Sequence, residues 1–215
     1  MLCWAAKWTT KRGIYSRSKG HKDFLTCLHA LISEADAVIH YNGQRFDMPW
    51  VHSEFLLAEP PLLPPSPYKQ IDLLRTVRSQ FKFPSNKLDY VAQALGIGHK
   101  TKGMNMDDWK GCMSNDEKSW KKMISYNKKD VALTEKVYFK LLPWIKNHPN
   151  QNLYEDKVLD EMRCPTCGSE HFIARGNIAT ASGVYKRYSC NSCHHWFRGH
   201  EAVCKIPVHT KTSNV

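Results

Sequence analysis

Apolar and polar positions along the chain change period several times, and each change predicts an element. Residues 1–8 form a short, mostly apolar run that reads as a strand. Phe24, Leu28, Leu31, Ile32 and Ala35 follow the spacing of one helix face, with Asp23 standing where an N-cap belongs. Ala37-Val38-Ile39-His40 is predicted as a buried strand, and Asn42-Gly43 turns the chain after it. A second helix is predicted over about residues 48–57. The prolines between Pro60 and Pro67 forbid regular structure, and a stiff loop leading into a strand over 68–73 is a better reading than a proline-rich ligand for another domain. After a basic stretch over 75–82, Asn86 can cap a helix with Asp89 at its third position. That helix turns Leu88, Val91, Ala92 and Leu95 inward and stops at Gly96. Ser114-Asn115-Asp116-Glu117 fits a capping box opening a long helix over about 116–142. Its apolar positions include Trp120, Ile124, Val131, Val137 and Leu141, and Pro143 and Pro149 end it.

Strands alternating with helices make residues 1–149 an α/β domain. The apolar run at its very start predicts a domain that is incomplete at the N-terminus. Residues 150–162 are polar and acidic without a strong period and read as a linker. Residues 163–199 form a small cysteine-bearing module, and residues 200–215 a loose tail. No internal repeat is visible.

Composition supports that plan. A chain of 215 residues holds one ordinary domain plus a small module, and 42% hydrophobic residues with 11% aromatics supply a core. A net charge of +11 and a pI near 9.3 favour a polyanionic partner such as nucleic acid over a merely lysine-rich surface. No apolar run approaches the length of a membrane span, and Lys7 arrives too soon for a signal peptide. The expected location is cytoplasmic, with no membrane partner.

Of eight cysteines, Cys3, Cys27, Cys112 and Cys204 stand alone. The other four form two knuckles separated by 22 residues, Cys164-Pro165-Thr166-Cys167-Gly168 and Cys190-Asn191-Ser192-Cys193. Four thiolates so spaced can close a tetrahedral site around one structural Zn²⁺, with no open position for chemistry. Metal binding in a reducing compartment explains the pattern better than disulfides or a redox dithiol. Gly168 suits the tight turn of the first knuckle; the second has His194-His195 instead, and four sulfurs suffice without either. Residues 171–175 and 184–189 read as strands of a zinc ribbon. Arg175, Lys186, Arg187 and Arg198 are interleaved with Tyr185, Tyr188, Trp196 and Phe197, which suits phosphate contacts plus base stacking. A purely structural ribbon and a protein-docking knob stay open beside that reading.

The candidate chemistry lies in three residues. Asp47 follows a predicted strand and a glycine turn, and Tyr126 and Asp130 share one helix face at i,i+4. Two-metal phosphodiester hydrolysis needs oxygen ligands converging from a strand and a helix, and a tyrosine hydroxyl there can orient the attacking water. Each residue also has an ordinary reading, as a turn, a cap or a chance helical pair.

Taken in order, the motifs carry more. His40-Tyr41-Asn42-Gly43-Gln44-Arg45-Phe46-Asp47-Met48-Pro49, Ile71-Asp72-Leu73-Leu74, Ser85-Asn86-Lys87-Leu88-Asp89-Tyr90-Val91-Ala92 and Tyr126-Asn127-Lys128-Lys129-Asp130 resemble the DEDD 3′–5′ exonucleases in their tyrosine form. The likeness is in particular to predicted exonucleases of phage and bacteria, and it spans roughly residues 1–147. It implies a ribonuclease H-like mixed sheet flanked by helices, with the opening strand missing here. It also implies two Mg²⁺ or Mn²⁺ ions held by Asp47 and Asp130, with Tyr126 positioning the water. His40, Asn42 and Phe46 would shape the motif or contact the terminal nucleotide. The implied substrate is a single-stranded DNA or RNA 3′ end in a bacterial or phage-infected cell, with replication or repair proteins as partners. The family's first motif, Asp-x-Glu, occurs nowhere in the 215 residues. A second expectation follows: a catalytically deficient protein that binds nucleic acid. Asp72 is the other acid considered for the site, and a capping role fits it better.

Overall fold

The opening apolar run forms strand β1 (Cys3–Lys7), which pairs antiparallel with β2 (Ile14–Ser18), a strand whose weak alternation hid it. The computed structural model describes residues 1–100, 103–154 and 162–205. It divides into two units, Met1–Leu141 with Ile145–Asn147, and Leu142–Trp144 with the described part of His148–Val215. Trp4 is buried on β1 and donates its indole N–H to the Phe24 carbonyl at 2.7 Å, tying the hairpin to helix α1 (Phe24–Glu34). Phe24, Leu28 and Ile32 form the buried stripe of α1. Asp23 precedes α1 without capping it. Its carboxylate takes the Arg17 guanidinium at 2.9–3.0 Å, a charge-assisted fork that outcompetes a helix N–H.

Strand β3 (Ala37–His40) pairs in parallel with β4 (Lys69–Asp72), His40 opposite Asp72. β3 is half-buried throughout, where the sequence suggested full burial. Between these strands, helix α2 (Asp47–Leu56) buries Met48, Val51 and Phe55, which complete a core with Trp4, Phe24, Leu28 and Ile32. The proline-rich segment has no regular structure, as expected. Among the described residues the expected mixed sheet is present only as two separate pieces. β1–β2 and β3–β4 are separate two-stranded sheets, and among the described residues no strand hydrogen-bonds to both. Helices around small antiparallel and parallel sheets still fit a ribonuclease H-like α/β class.

Helix α3 (Leu73–Gln80) occupies the basic stretch that suggested no element; Leu73, Leu74 and Val77 face inward and Arg75 and Arg78 are exposed. Helix α4 (Leu88–Ala94) follows, with Lys87 rather than Asn86 at the N-cap; the Asn86 carbonyl instead accepts from the Tyr41 hydroxyl at 2.7 Å. Helix α5 (Met106–Met113) was not anticipated. It opens on a capping box, Asn105 and Asp108 exchanging side-chain to backbone bonds at 2.8 and 3.0 Å. Ser114 therefore closes α5 instead of opening the long helix α6 (Glu117–Leu141). Asp116 takes over that start, accepting from the Ser119 amide at 2.8 Å and its hydroxyl at 2.6 Å. α6 lies against the first hairpin, with Lys7 paired to Glu135 at 2.5 Å.

The C-terminal unit is an antiparallel sheet in the order β5 (Phe172–Thr180), β6 (Gly183–Cys190), β7 (Trp196–Lys205). β7 continues through Lys205, six residues into the stretch read as a tail; residues 206–215 lie outside the described residues. Pairing with β6 is what orders it. Part of the expected linker is also engaged: Gln151–Tyr154 is a 3₁₀ turn, and the Gln151 amide donates to the Pro165 carbonyl at 2.8 Å. The rest of that linker, residues 155–161, lies outside the described residues. No helix among the described residues is long and apolar enough to cross a membrane.

Candidate active site and metal centre

Asp47 is the first residue of α2, delivered there by a tight turn from the end of β3. Asn42 sits in the left-handed region (φ 65°), and Gly43 passes so close to His40 that a Cβ would stand 2.7 Å from its ring. The Gly43 carbonyl accepts the Met48 amide at 2.8 Å, which fixes the entry into α2. Beneath this turn lies buried Asp72. One of its oxygens accepts the Asn42 amide at 2.8 Å and the Leu74 amide at 3.0 Å, so it caps α3 and braces the turn together. Its other oxygen is 3.7 Å from His40 Nδ1, and His40 Nε2 is 3.2 Å from the Gln70 side-chain oxygen. Asp72 thus takes the structural part expected of it. His40 and the Asn42 backbone are engaged inside the protein, whereas Phe46, just before α2, is 62% exposed. Desolvation holds the Asp47 carboxyl above its ordinary range, the Asp72 charge adding to the rise and His40 and the Asp47 amide opposing it.

Tyr126 and Asp130 project from one face of α6 onto a single cation, Lys100. Its ammonium is 2.7 Å from Asp130 Oδ2 and 3.2 Å from the Tyr126 hydroxyl, and it lies 5.4 Å from the centre of the Tyr126 ring. The loop after α4 brings it there, because the Lys100 amide donates to Asp89 Oδ1 at 2.6 Å, while Asp89 Oδ2 takes the Gln93 side chain. Desolvation works against the Lys100 charge, yet the hydrogen bond and charge of Asp130, with Tyr126, hold its pKa above the ordinary value. Sequence reading missed this residue; its partners stand 26 and 30 positions away, and nothing local marks it.

The structure therefore places the predicted residues in two clusters, Asp47 with His40 and Asp72, and Tyr126 with Asp130 and Lys100. Carboxylates suit hard divalent ions, and Asp130 already receives a positive charge. Among the described residues, however, neither Asp47 nor Asp130 belongs to a group of three metal-binding side chains.

The four knuckle cysteines do form such a group. Their sulfurs all lie within 4.8 Å of one another, Cys164 to Cys193 at 3.7 Å and Cys167 to Cys190 at 3.6 Å. A disulfide would need about 2.0 Å, and all four are free thiols. Tetrahedral ligation at about 2.3 Å sets sulfurs about 3.8 Å apart, so the group can hold a metal ion. The two knuckles are the same turn. Gly168 (φ 70°) donates to the Cys164 carbonyl at 2.8 Å, and His194 (φ 60°) to the Cys190 carbonyl at 3.0 Å. His194 replaces the glycine as a backbone element, and neither it nor His195 joins the sulfur group. Burial pushes the Cys164 thiol up to about 11, and Cys193 also rises through burial and its sulfur neighbours, a cost that a bound cation relieves.

A family model described as RNase_H_2, of the RNase_H superfamily, matches residues 6–142, from within β1 to just past the end of α6. No curated protein matches the chain.

Proposed function

The chain belongs to the RNase H superfamily of metal-dependent nucleases, and on that premise we propose that its N-terminal unit is a 3′–5′ exonuclease acting on DNA or RNA ends. The observation that carries this reading is the convergence of Tyr126 and Asp130, one helical turn apart, on a single cationic position. Asp47 and Asp130 would be ligands of two Mg²⁺ or Mn²⁺ ions. Two such ions, when bound, would lower the pKa of the attacking water and offset the charge that builds on the departing oxygen. Tyr126 holds the attacking water through its hydroxyl, and Phe46, exposed beside Asp47, offers a ring to the terminal base. His40 and Asn42 set the shape of the turn that presents Asp47.

In the C-terminal unit the four cysteines bind one structural Zn²⁺, and the ribbon helps to grip the strand. A second reading has a specific motive: the 215 residues contain no Asp-x-Glu, and Asp47 and Asp130 gather no third ligand among the described residues. That reading is a protein that binds nucleic acid without cutting it.

The test is release of nucleotides from 3′-labelled single-stranded DNA and RNA with Mg²⁺ or Mn²⁺, for the wild type and Asp130→Asn. Loss of release in the variant is expected. Release that Asp130→Asn leaves unchanged removes the assignment, and binding without release by the wild type selects the second reading.

A further inference from the structure

The ribbon sheet has two unlike faces. On one, Phe172, Tyr188 and Phe197 pack together with ring centres 5.4–5.6 Å apart, and Gly199 leaves room for the Tyr188 ring. These rings fill the module's own small core. Strand alternation puts Tyr185 and Arg187 of β6 on the other face, with Trp196 and Arg198 of β7.

Arg187 and Arg198 are direct cross-strand partners. Two like charges in that position repel, and no ion pair among the described residues brings a carboxylate to either. Each guanidinium instead lies over a ring, Arg187 at 5.0 Å from the Trp196 ring centre and Arg198 at 4.1 Å from that of Tyr185. The Arg187 Nε–H donates to the Arg175 carbonyl at 3.1 Å, which fixes its plane. Tyr185 is buried, whereas Trp196 is 51% exposed. The result is a fixed ladder of ring, guanidinium, guanidinium and ring, with its one open ring at the end nearer the knuckles.

We propose that this face binds single-stranded nucleic acid, a phosphate lying between Arg187 and Arg198 and an unstacked base lying on Trp196. An anion between the guanidiniums removes their repulsion, and the fork of each offers parallel donors to phosphate oxygens. The open face of the Trp196 ring requires a free base, so the site favours single strands over duplex. Of the basic residues near the ribbon rings, Lys186 alternates onto the opposite face and lies outside this site. The inference rests on nucleic acid being the ligand, as proposed above, and not on cleavage.

The test uses the full zinc-loaded chain and labelled oligo(dT) and oligo(U) of about twenty nucleotides, read by fluorescence anisotropy. Trp196→Ala should weaken both by at least about fivefold, with Trp196→Phe recovering most of the loss. Arg187→Gln with Arg198→Gln should weaken binding and flatten the log–log salt dependence by about 0.7, the value for one neutralised phosphate on a single strand. Lys186→Gln should change affinity less than twofold. Zinc content checks each variant; should Trp196→Ala lose zinc, the arginine pair and Trp196→Phe decide the matter. Affinities within twofold of wild type in the zinc-retaining ladder variants overturn the proposal, as does equal affinity for duplex. Tighter binding of an oligoglutamate peptide than of oligo(dT) overturns it in favour of a protein partner. If the ladder variants bind normally while Asp130→Asn abolishes release, this site falls and the nuclease stands. Trp196-dependent binding without release by any variant has the reverse meaning.

Discussion

In the N-terminal unit, seven side chains from one strand and two helices close over one another: Trp4, Phe24, Leu28, Ile32, Met48, Val51 and Phe55. In the ribbon, over residues 163–205, the fully buried side chains are Cys164, Thr166 and Cys190, with Tyr185 at 9% exposure. The first unit excludes water with hydrocarbon. The second, at about forty residues, has little interior beyond its three packed rings, and the proposed zinc site would supply the rest of its order. The sharpest way to break this comparison is to remove the metal. Structural zinc contributes on the order of 10–16 kcal/mol in zinc-finger peptides, so chelation, or Cys190→Ser, is expected to unfold the ribbon. Amide signals of residues 163–205 should collapse to random-coil shifts in an NMR spectrum, while those of α1, α2 and α6 keep their dispersion. A ribbon that stays dispersed without metal contradicts the contrast.

The converse prediction acts on the hydrocarbon side. Leu73 is completely buried at the start of α3, and Leu73→Ala should cost about 2–5 kcal/mol through lost burial and the cavity left behind. Urea denaturation followed by a probe in the N-terminal unit measures it. Zinc stoichiometry should stay at one per chain, and a variant that also lost zinc would show the two units to be coupled.

The same contrast explains what could be read beforehand. α1, α2, α4 and α6 repeat apolar residues strongly enough, or cap plainly enough, to be placed within a few residues. α3 was hidden because Arg75 and Arg78 made its inward Leu74 and Val77 look like interruptions in a basic loop. α5 was missed because its capping box uses Asn105 and Asp108, and only Cys112 is buried behind it. β7 was cut short because Trp-Phe-Arg-Gly-His-Glu shows no apolar alternation, and pairing with β6 rather than a buried stripe orders it. The cysteine quartet was legible because its spacing lets four sulfurs meet, whereas Asp47, Tyr126 and Asp130 stood out only through motifs that resemble the exonucleases; the structure brings Tyr126 and Asp130 to one cation and leaves Asp47 in another cluster. Lys100 was not legible. It reaches Asp130 through a loop pinned by Asp89, and no local pattern encodes such a contact.

A smaller effect sharpens the comparison at the corner that presents Asp47. Asp72 is buried, accepts two backbone N–H groups and caps α3. Asp72→Ala should cost about 1–3 kcal/mol, since it leaves those donors unsatisfied. Thermal denaturation without added metal is the measurement, because protein groups alone hold this corner. A variant as stable as the wild type would mean that solvent or another side chain takes over the donors.

Asp47 should behave in the opposite way from the cysteines. Its carboxyl pKa is raised by desolvation, with the Asp72 charge adding to the rise. The folded chain therefore holds that proton more tightly than the unfolded chain. The sign follows: any stability linked to this group is present below its ordinary pKa of about 4 and is lost as pH rises through the higher folded value. Asp47 is exposed, so solvent screens most of that penalty, and at pH 7 the stability of Asp47→Asn should lie within about 0.5 kcal/mol of wild type. From pH 4 to pH 7 its urea midpoint should fall less than the wild type's. Removing a cysteine of the quartet should dismantle the ribbon, if a metal holds that unit together as proposed. Removing Asp47 should leave the N-terminal unit folded and silence release from the 3′ end, if Asp47 is a metal ligand as proposed. A destabilised Asp47→Asn would assign this carboxylate to the scaffold and take it out of the site.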